Sequence, residues 1–243
     1  MMPKTNDLQS SSAASEWGAI LFALIFPTLL TWVYFIALAD SEPWMQKGAY
    51  GIGKVIQFAF PLAFVLIRRE GLKLRGIDTS GLVLAVGFGL LVSGSMLILY
   101  YFWLKPAGFF AGEVTEEVRG KLKSFGVDSL AAYAVLAIFY SLVHSLLEEY
   151  YWRWFVFGRL KNLTPLTAAV AISSVGFAVH HVLVLAKYFG WGSPATWLFS
   201  AGVAVGGVVW AIVYQRSKSL LGPWLSHLLV DAAIFAIGWD LMR

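Results

Sequence analysis

The sequence predicts an all-α fold, a polytopic membrane bundle of about seven transmembrane helices, and three observations predict it. The 243 residues are 59% hydrophobic and only 13% charged, against about 25% charged in an ordinary soluble domain. Mean hydropathy is +0.72. The apolar residues are also gathered into runs of roughly 20, the length that crosses a bilayer as a helix. About seven runs meet that criterion: Trp17–Ala39, Ala49–Ile67, Leu82–Leu104, Leu130–Leu160, Leu166–Tyr188, Ala195–Tyr214 and Leu221–Met242.

Each run has chemistry at its boundaries. Residues 1–16 are polar and Ser-rich and read as a disordered tail. The first run ends in Ala-Leu-Ala before Asp40, which resembles a signal-peptidase site, but it exceeds the roughly 7–15 residues of a signal h-region and reads as a retained span. Lys54 lies near the start of the second run, where a long stem can snorkel outward. Asp128-Ser129 offers a cap for the fourth run. Thr164-Pro165 and Ser193-Pro194 pair a capping residue with a first-turn proline for the fifth and sixth. Gly202-xxx-Gly206 permits close packing of the sixth span. Between the third and fourth runs, Val114, Val118, Leu122 and Phe125 recur at helical spacing, as in an amphipathic helix lying on the membrane, a loop helix or a lid. Residues 17–243 therefore read as one helical domain, with a functional core at about 129–243.

Lys and Arg set orientation. Arg68, Arg69, Lys73 and Arg75 follow the second span, and Arg159, Lys161, Arg216 and Lys218 fall on the same side. That side is expected to be cytoplasmic, with the N-terminus on it. The segment from Lys105 to Lys123 is also basic but falls opposite, diluted by Glu113, Glu116 and Glu117. The net charge of +4, spread in short juxtamembrane clusters, suits topology rather than nucleic-acid binding. With no cysteine, disulfides and thiolate metal ligands are excluded. The 11 Trp and 10 Tyr suit interfacial belts.

Against this background, ionisable residues stand inside spans, where each charge costs roughly 2.5–3.5 kcal/mol at the bilayer centre. They are His144, Glu148, Glu149 and Arg153 in the fourth run, His180 and His181 in the fifth, and His227 and Asp231 in the seventh. Residues four apart share a helical face. Glu149 thus meets Arg153, while Glu148 points about 100° away and lies one turn after His144. Phe177 shares a face with His181, and His227 with Asp231. At about 1.5 Å per residue the groups lie at overlapping depths, so a common chamber is allowed. A buried ion-pair knot would fix packing only, but Glu148 has no sequence-local cation.

Such a set is suited to hydrolysis. A buried carboxylate can activate water as general base, an imidazole can orient that water, and a second polar pair can stabilise a tetrahedral oxyanion. Neither Gly94-Ser95 nor Ser173-Ser174 has the setting of a serine nucleophile. A His–Asp pair with carboxylates also suits zinc, so a metal-bound mechanism stays open beside the favoured reading without cofactor.

The motifs Glu148-Glu149-xxx-Arg153, Phe177-xxx-His181 and His227-xxx-Asp231 resemble the EExxxR, FxxxH and HxxxN/D motifs of the CPBP intramembrane proteases. This family of CAAX proteases and bacteriocin-processing enzymes, also called Abi, includes the Ras-converting CAAX endopeptidases. The resemblance covers roughly the last hundred-odd residues, with the motifs in order on successive apolar runs and one run intervening before the third. It implies a glutamic-type mechanism: Glu148 activates water with His181 beside it, His227 and Asp231 line the oxyanion side, and Glu149, Arg153 and Phe177 support them. His180 has no role by resemblance and is expected to be structural. Asp231 stands where the CAAX enzymes usually carry Asn; it is either protonated or orients His227.

The expected function is an intramembrane endopeptidase acting on a membrane-anchored peptide or protein, a multi-pass protein of the plasma (inner) membrane whose partners are its substrate and the bilayer. Two alternatives stand beside it. A non-catalytic immunity or sorting partner has no reason to bury Glu148. A proton-coupled transporter would use the same residues as a relay, but the sequence has no inverted repeat.

Overall fold

The structure is a computed structural model that describes residues 5–71 and 78–242, with side chains from residue 13 onward. Lys73 and Arg75, part of the orientation argument, lie outside the described residues. Among those residues the chain is all-helical, without strands, and seven helices are long and apolar enough to cross a membrane.

The first span begins in α1 (Thr5–Trp32) and closes on a π-helical turn, Val33–Ala37. The second is α2 (Pro43–Ile67). The third is α3 (Leu82–Leu99), again with a π segment at its end, Tyr100–Leu104. The amphipathic segment forms α4 (Glu113–Ser124), with acidic residues in its first turn and basic ones in its last, as the helix dipole favours. The fourth span is segmented: α5 (Leu130–Ile138), a π segment Phe139–His144, α6 (Ser145–Glu149), a second π segment Tyr150–Phe157, and α7 (Gly158–Leu163). Then come α8 (Leu166–Phe189), α9 (Pro194–Ser217) and α10 (Leu221–Met242). Ser129 and Ser193 cap their helices as their sequence positions predict, accepting from Ala132 N and Ala195 N.

Packing is densest between α8 and α9 and between α3 and α10. Lipid-type side chains point outward: Ile52, Val55, Leu66 and Ile67 of α2 are exposed while its Gln46, Gly53 and Gln57 are buried. This inversion is what a hydrocarbon solvent selects.

Four sequence expectations change here. Residues 5–16, read as a disordered tail, continue α1. The polar end of that helix is tied down because Arg159 donates to Glu16 at 2.8 Å and to Glu70 at 2.6 Å, joining α1, the end of α2 and α7. The hydrogen bond from Arg159 holds the Glu70 carboxyl below its ordinary range. Lys54 does not snorkel outward: α2 starts at Pro43 rather than Ala49, which places Lys54 about 16 Å along the helix at about 1.5 Å per residue. Its Nζ instead lies 5.5 Å from the ring of Tyr50 and 5.4 Å from that of Phe58, one turn to either side. Several aromatics leave the interfacial belt: Tyr151, Trp152, Phe155, Phe157, Phe177 and Trp210 form the core. Finally, the close approach on α9 is not made by Gly202, whose surroundings are open, but by Gly207, where a Cβ would lie 3.0 Å from Cβ of Ser174 on α8.

That last contrast is testable. Overpacking costs about 1–3 kcal/mol, so Gly207→Val is expected to lower the unfolding temperature in detergent measurably, whereas Gly202→Val leaves it unchanged.

Candidate active site

The short helix α6 brings two adjacent carboxylates to a buried position, and the π segments on either side of it set their surroundings. A π segment bonds i to i+5 and is rare outside functional sites. In Tyr150–Phe157, Tyr151, Trp152, Arg153, Phe155, Val156 and Phe157 are all buried, more of the circumference than one α-helical stripe would cover.

Glu149 is fully buried. Its Oε2 lies 3.1 Å from Arg153 Nε, the intrahelical ion pair expected from the spacing. Its Oε1 accepts a hydrogen bond from Nδ1 of His227 at 2.8 Å. A carboxylate only accepts, so Nδ1 is the protonated nitrogen in that contact. The Arg153 guanidinium is stacked 4.7 Å from the ring of Phe177 and 5.0 Å from that of Trp210, and its Nη2 faces the carbonyl of Gly207 at 3.5 Å. Trp210 in turn stacks on His227, with ring centroids 4.3 Å apart and planes within 16°.

Glu148 is treated differently. It is also buried, yet it makes no direct hydrogen bond to a side chain among the described residues. Three imidazoles stand around it: Nε2 of His227 at 3.7 Å, Nε2 of His180 at 3.9 Å and Nδ1 of His144 at 4.0 Å. The Nε2 of His227 also faces Asp231 Oδ1 at 3.6 Å. Thus α6, α8 and α10 bring Glu148, His180, His227 and Asp231 together, and His227 contacts three carboxylates at once.

The fifth-span histidines are both placed at the cluster. His180, expected to be structural, is the one within 4.0 Å of Glu148, and its ring lies parallel to Trp152 at 6.0 Å. His181 directs Nδ1 to the carbonyl of Phe177 at 2.9 Å, with the two rings 5.0 Å apart. Both imidazoles remain in one cluster, 4.1 Å between centroids. The reason is local: Trp152 stacks on His180 and draws it inward, while a backbone carbonyl one turn back holds His181.

Trp210, Tyr140 and Lys54 were not singled out from the sequence as site residues. Tyr140 lies against His144 at 4.7 Å and meets Tyr50 of α2 through their hydroxyls at 3.4 Å. Trp210 had one available signal, a tryptophan at mid-span rather than at an interface. Among the described residues no group of three or more His, Asp or Glu side chains is placed to hold a metal ion. The two open clefts of about 600 and 360 Å³, beside Arg159 and beside Lys121, do not include Glu148.

The arrangement thus offers one carboxylate fixed by a cation and an imidazole, and a second, hydrogen-bond-free carboxylate among imidazoles. Removing one partner of a buried ion pair costs about 3–5 kcal/mol. Arg153→Met is therefore expected to destabilise the protein strongly in thermal unfolding, and adding Glu149→Gln is expected to restore part of the loss. Unchanged stability in the single variant would contradict the buried pair.

Residues 130–233 match the family model described as Type II CAAX prenyl endopeptidase Rce1-like, which supports a membrane protease in general. Comparisons with curated proteins and with solved structures give no match.

Proposed function

We propose that this chain, whose residues 130–233 match the model of the Rce1-like type II CAAX prenyl endopeptidase family, is an intramembrane endopeptidase that hydrolyses its substrate with a glutamate-activated water. The observation that carries the reading is the unequal treatment of the two adjacent carboxylates. Glu149 is held by the Arg153 ion pair on one oxygen and the His227 hydrogen bond on the other; Glu148 has no such fixed partner, and three imidazoles are within 4.0 Å of it.

In this mechanism Glu148 takes a proton from water as the oxygen attacks the scissile carbonyl. The carbonyl π electrons move to oxygen and form a tetrahedral oxyanion. His227 acts as the imidazolium, with Glu149, Glu148 and Asp231 around it as counter-charges; it donates to that oxyanion through Nε2, its ring held by Glu149 on Nδ1 and by Trp210 on its face. Such preorganised donors are usually the largest electrostatic contribution in acyl transfer. The intermediate collapses with cleavage of the C–N bond, and Glu148 returns its proton to the leaving amine. His180 and His181 position the water and the substrate on the α8 side. Asp231 faces His227 Nε2 at 3.6 Å, outside hydrogen-bond range, and supports the orientation of that ring.

The substrate proposed is a membrane-attached peptide cut near its terminus. The family description names a CAAX prenyl endopeptidase, and the C-a-a-X box is a C-terminal lipidation signal. A carboxylate cluster carried by membrane-spanning helices suits a substrate delivered by a lipid anchor. The orientation with a cytoplasmic N-terminus belongs to the same proposal, and the Lys/Arg distribution supports it.

Glu148→Gln is expected to reduce cleavage of an S-farnesylated CAAX peptide by about 10²–10⁴-fold, the usual range for general base catalysis, with unchanged thermal unfolding. Wild-type turnover is expected to survive treatment with a chelator. Retained activity in Glu148→Gln would eliminate the base; loss on chelation with recovery on adding zinc would establish a metal mechanism instead.

Asp231→Asn is expected to retain cleavage within about tenfold, because the neutral amide matches the HxxxN form of the motif. A loss as large as that of Glu148→Gln would give Asp231 a direct chemical role.

A further inference from the structure

The match to the protease family begins at residue 130, yet one cation of α2 is held by rings that touch the same cluster. Lys54 lies near the middle of its span, where an ammonium is costly to keep. It is half-buried, and among the described residues its Nζ has no carboxylate within 4.0 Å. Two aromatic rings hold it. Tyr50 and Phe58, one turn before and after, flank Nζ at 5.5 and 5.4 Å. Both anchors lead to the site: Tyr50 meets Tyr140 at 3.4 Å between hydroxyls, and Phe58 meets His144 edge to face at 5.8 Å. The ammonium is in electrostatic range of Glu148, His144, His180 and His181. A cation kept at mid-membrane without an ion pair, beside a proposed peptide-cleaving centre, is what an anionic part of the ligand would require.

We propose that Lys54 is a specificity-determining residue that receives the free C-terminal carboxylate of the peptide substrate. The inference rests on the endopeptidase reading and extends it. Lys54 binds the carboxylate and the rings of Tyr50 and Phe58 wall the site around it. The distance from Lys54 to Glu148 then selects which peptide bond, counted from the C-terminus, lies over the base. Recognition of a terminal carboxylate confines cleavage to the last few residues, so that other peptide segments within the bilayer are spared. The ammonium takes no part in proton transfer.

The test uses the full-length protein in nanodiscs of zwitterionic lipid and three S-farnesylated CAAX peptides: one with a free C-terminal acid, one amidated, and one amidated with Asp as the last residue. Wild type is expected to show KM for the acid about tenfold or more below that for either amide. Lys54→Met is expected to erase the difference by raising KM for the acid alone, with kcat within about twofold. Lys54→Arg, which keeps the charge if Met disturbs packing, is expected to restore the preference. An acid preference that persists in Lys54→Met, or an equal fall of kcat on all three probes, overturns the proposal. An Asp-ended amide bound as well as the free acid overturns the assignment to the terminal carboxylate. Equilibrium binding of the same probes to Glu148→Gln separates the two readings. No turnover by wild type together with a Lys54-dependent acid preference in binding rejects the endopeptidase and keeps the carboxylate site. Equal binding of acid and amide rejects the carboxylate site whatever the turnover.

Discussion

The Glu149 carboxylate is the interaction on which the rest of the site is built. It is fully buried and holds Arg153 on one oxygen and His227 on the other. A bare carboxylate in that position would be prohibitively costly, so both partners are obligatory. Arg153 is then bracketed by Phe177 of α8 and Trp210 of α9, and His227 of α10 is stacked on Trp210. One acidic group thereby ties four helical segments together and fixes the direction of one imidazole. Glu148, its neighbour, is left facing three imidazoles without a side-chain hydrogen bond among the described residues.

That division depends on helix geometry as much as on residue type. In an ideal helix two consecutive side chains diverge by about 100°, which separates the two acids. The π segment after α6 turns most of its residues toward the core. Trp152, inside it, reaches His180. Pairs at i, i+4 spacing were legible in the sequence because that spacing belongs to the α-helix: Glu149 with Arg153, Phe177 with His181, His227 with Asp231. A π segment has no comparable residue signature, so contacts that depend on one could not be read.

The spans were legible from hydropathy alone, since a hydrocarbon solvent leaves little choice of structure. Their ends were less so. Arg159 extends helical order into the polar N-terminal segment by binding Glu16, a contact 143 residues apart in sequence with no local sign. Lys54 was misread for a related reason: a lysine near an apparent helix start suggests snorkelling, but the helix begins earlier and the charge lies deep. The contact of His180 with Glu148 has the same character. Which of two adjacent histidines faces a carboxylate is decided by Trp152 and by a backbone carbonyl, both of which act only in the folded state.

The central claim is that Glu149 is structural and Glu148 is the reactive acid. An experimental structure of the protein in lipid nanodiscs, at a resolution that shows side chains and ordered water, tests it most directly. The account predicts Glu149 bound to both Arg153 and His227, and Glu148 among His144, His180 and His227 with its oxygens on water. A structure in which Glu148 pairs with Arg153, or faces lipid, would contradict it.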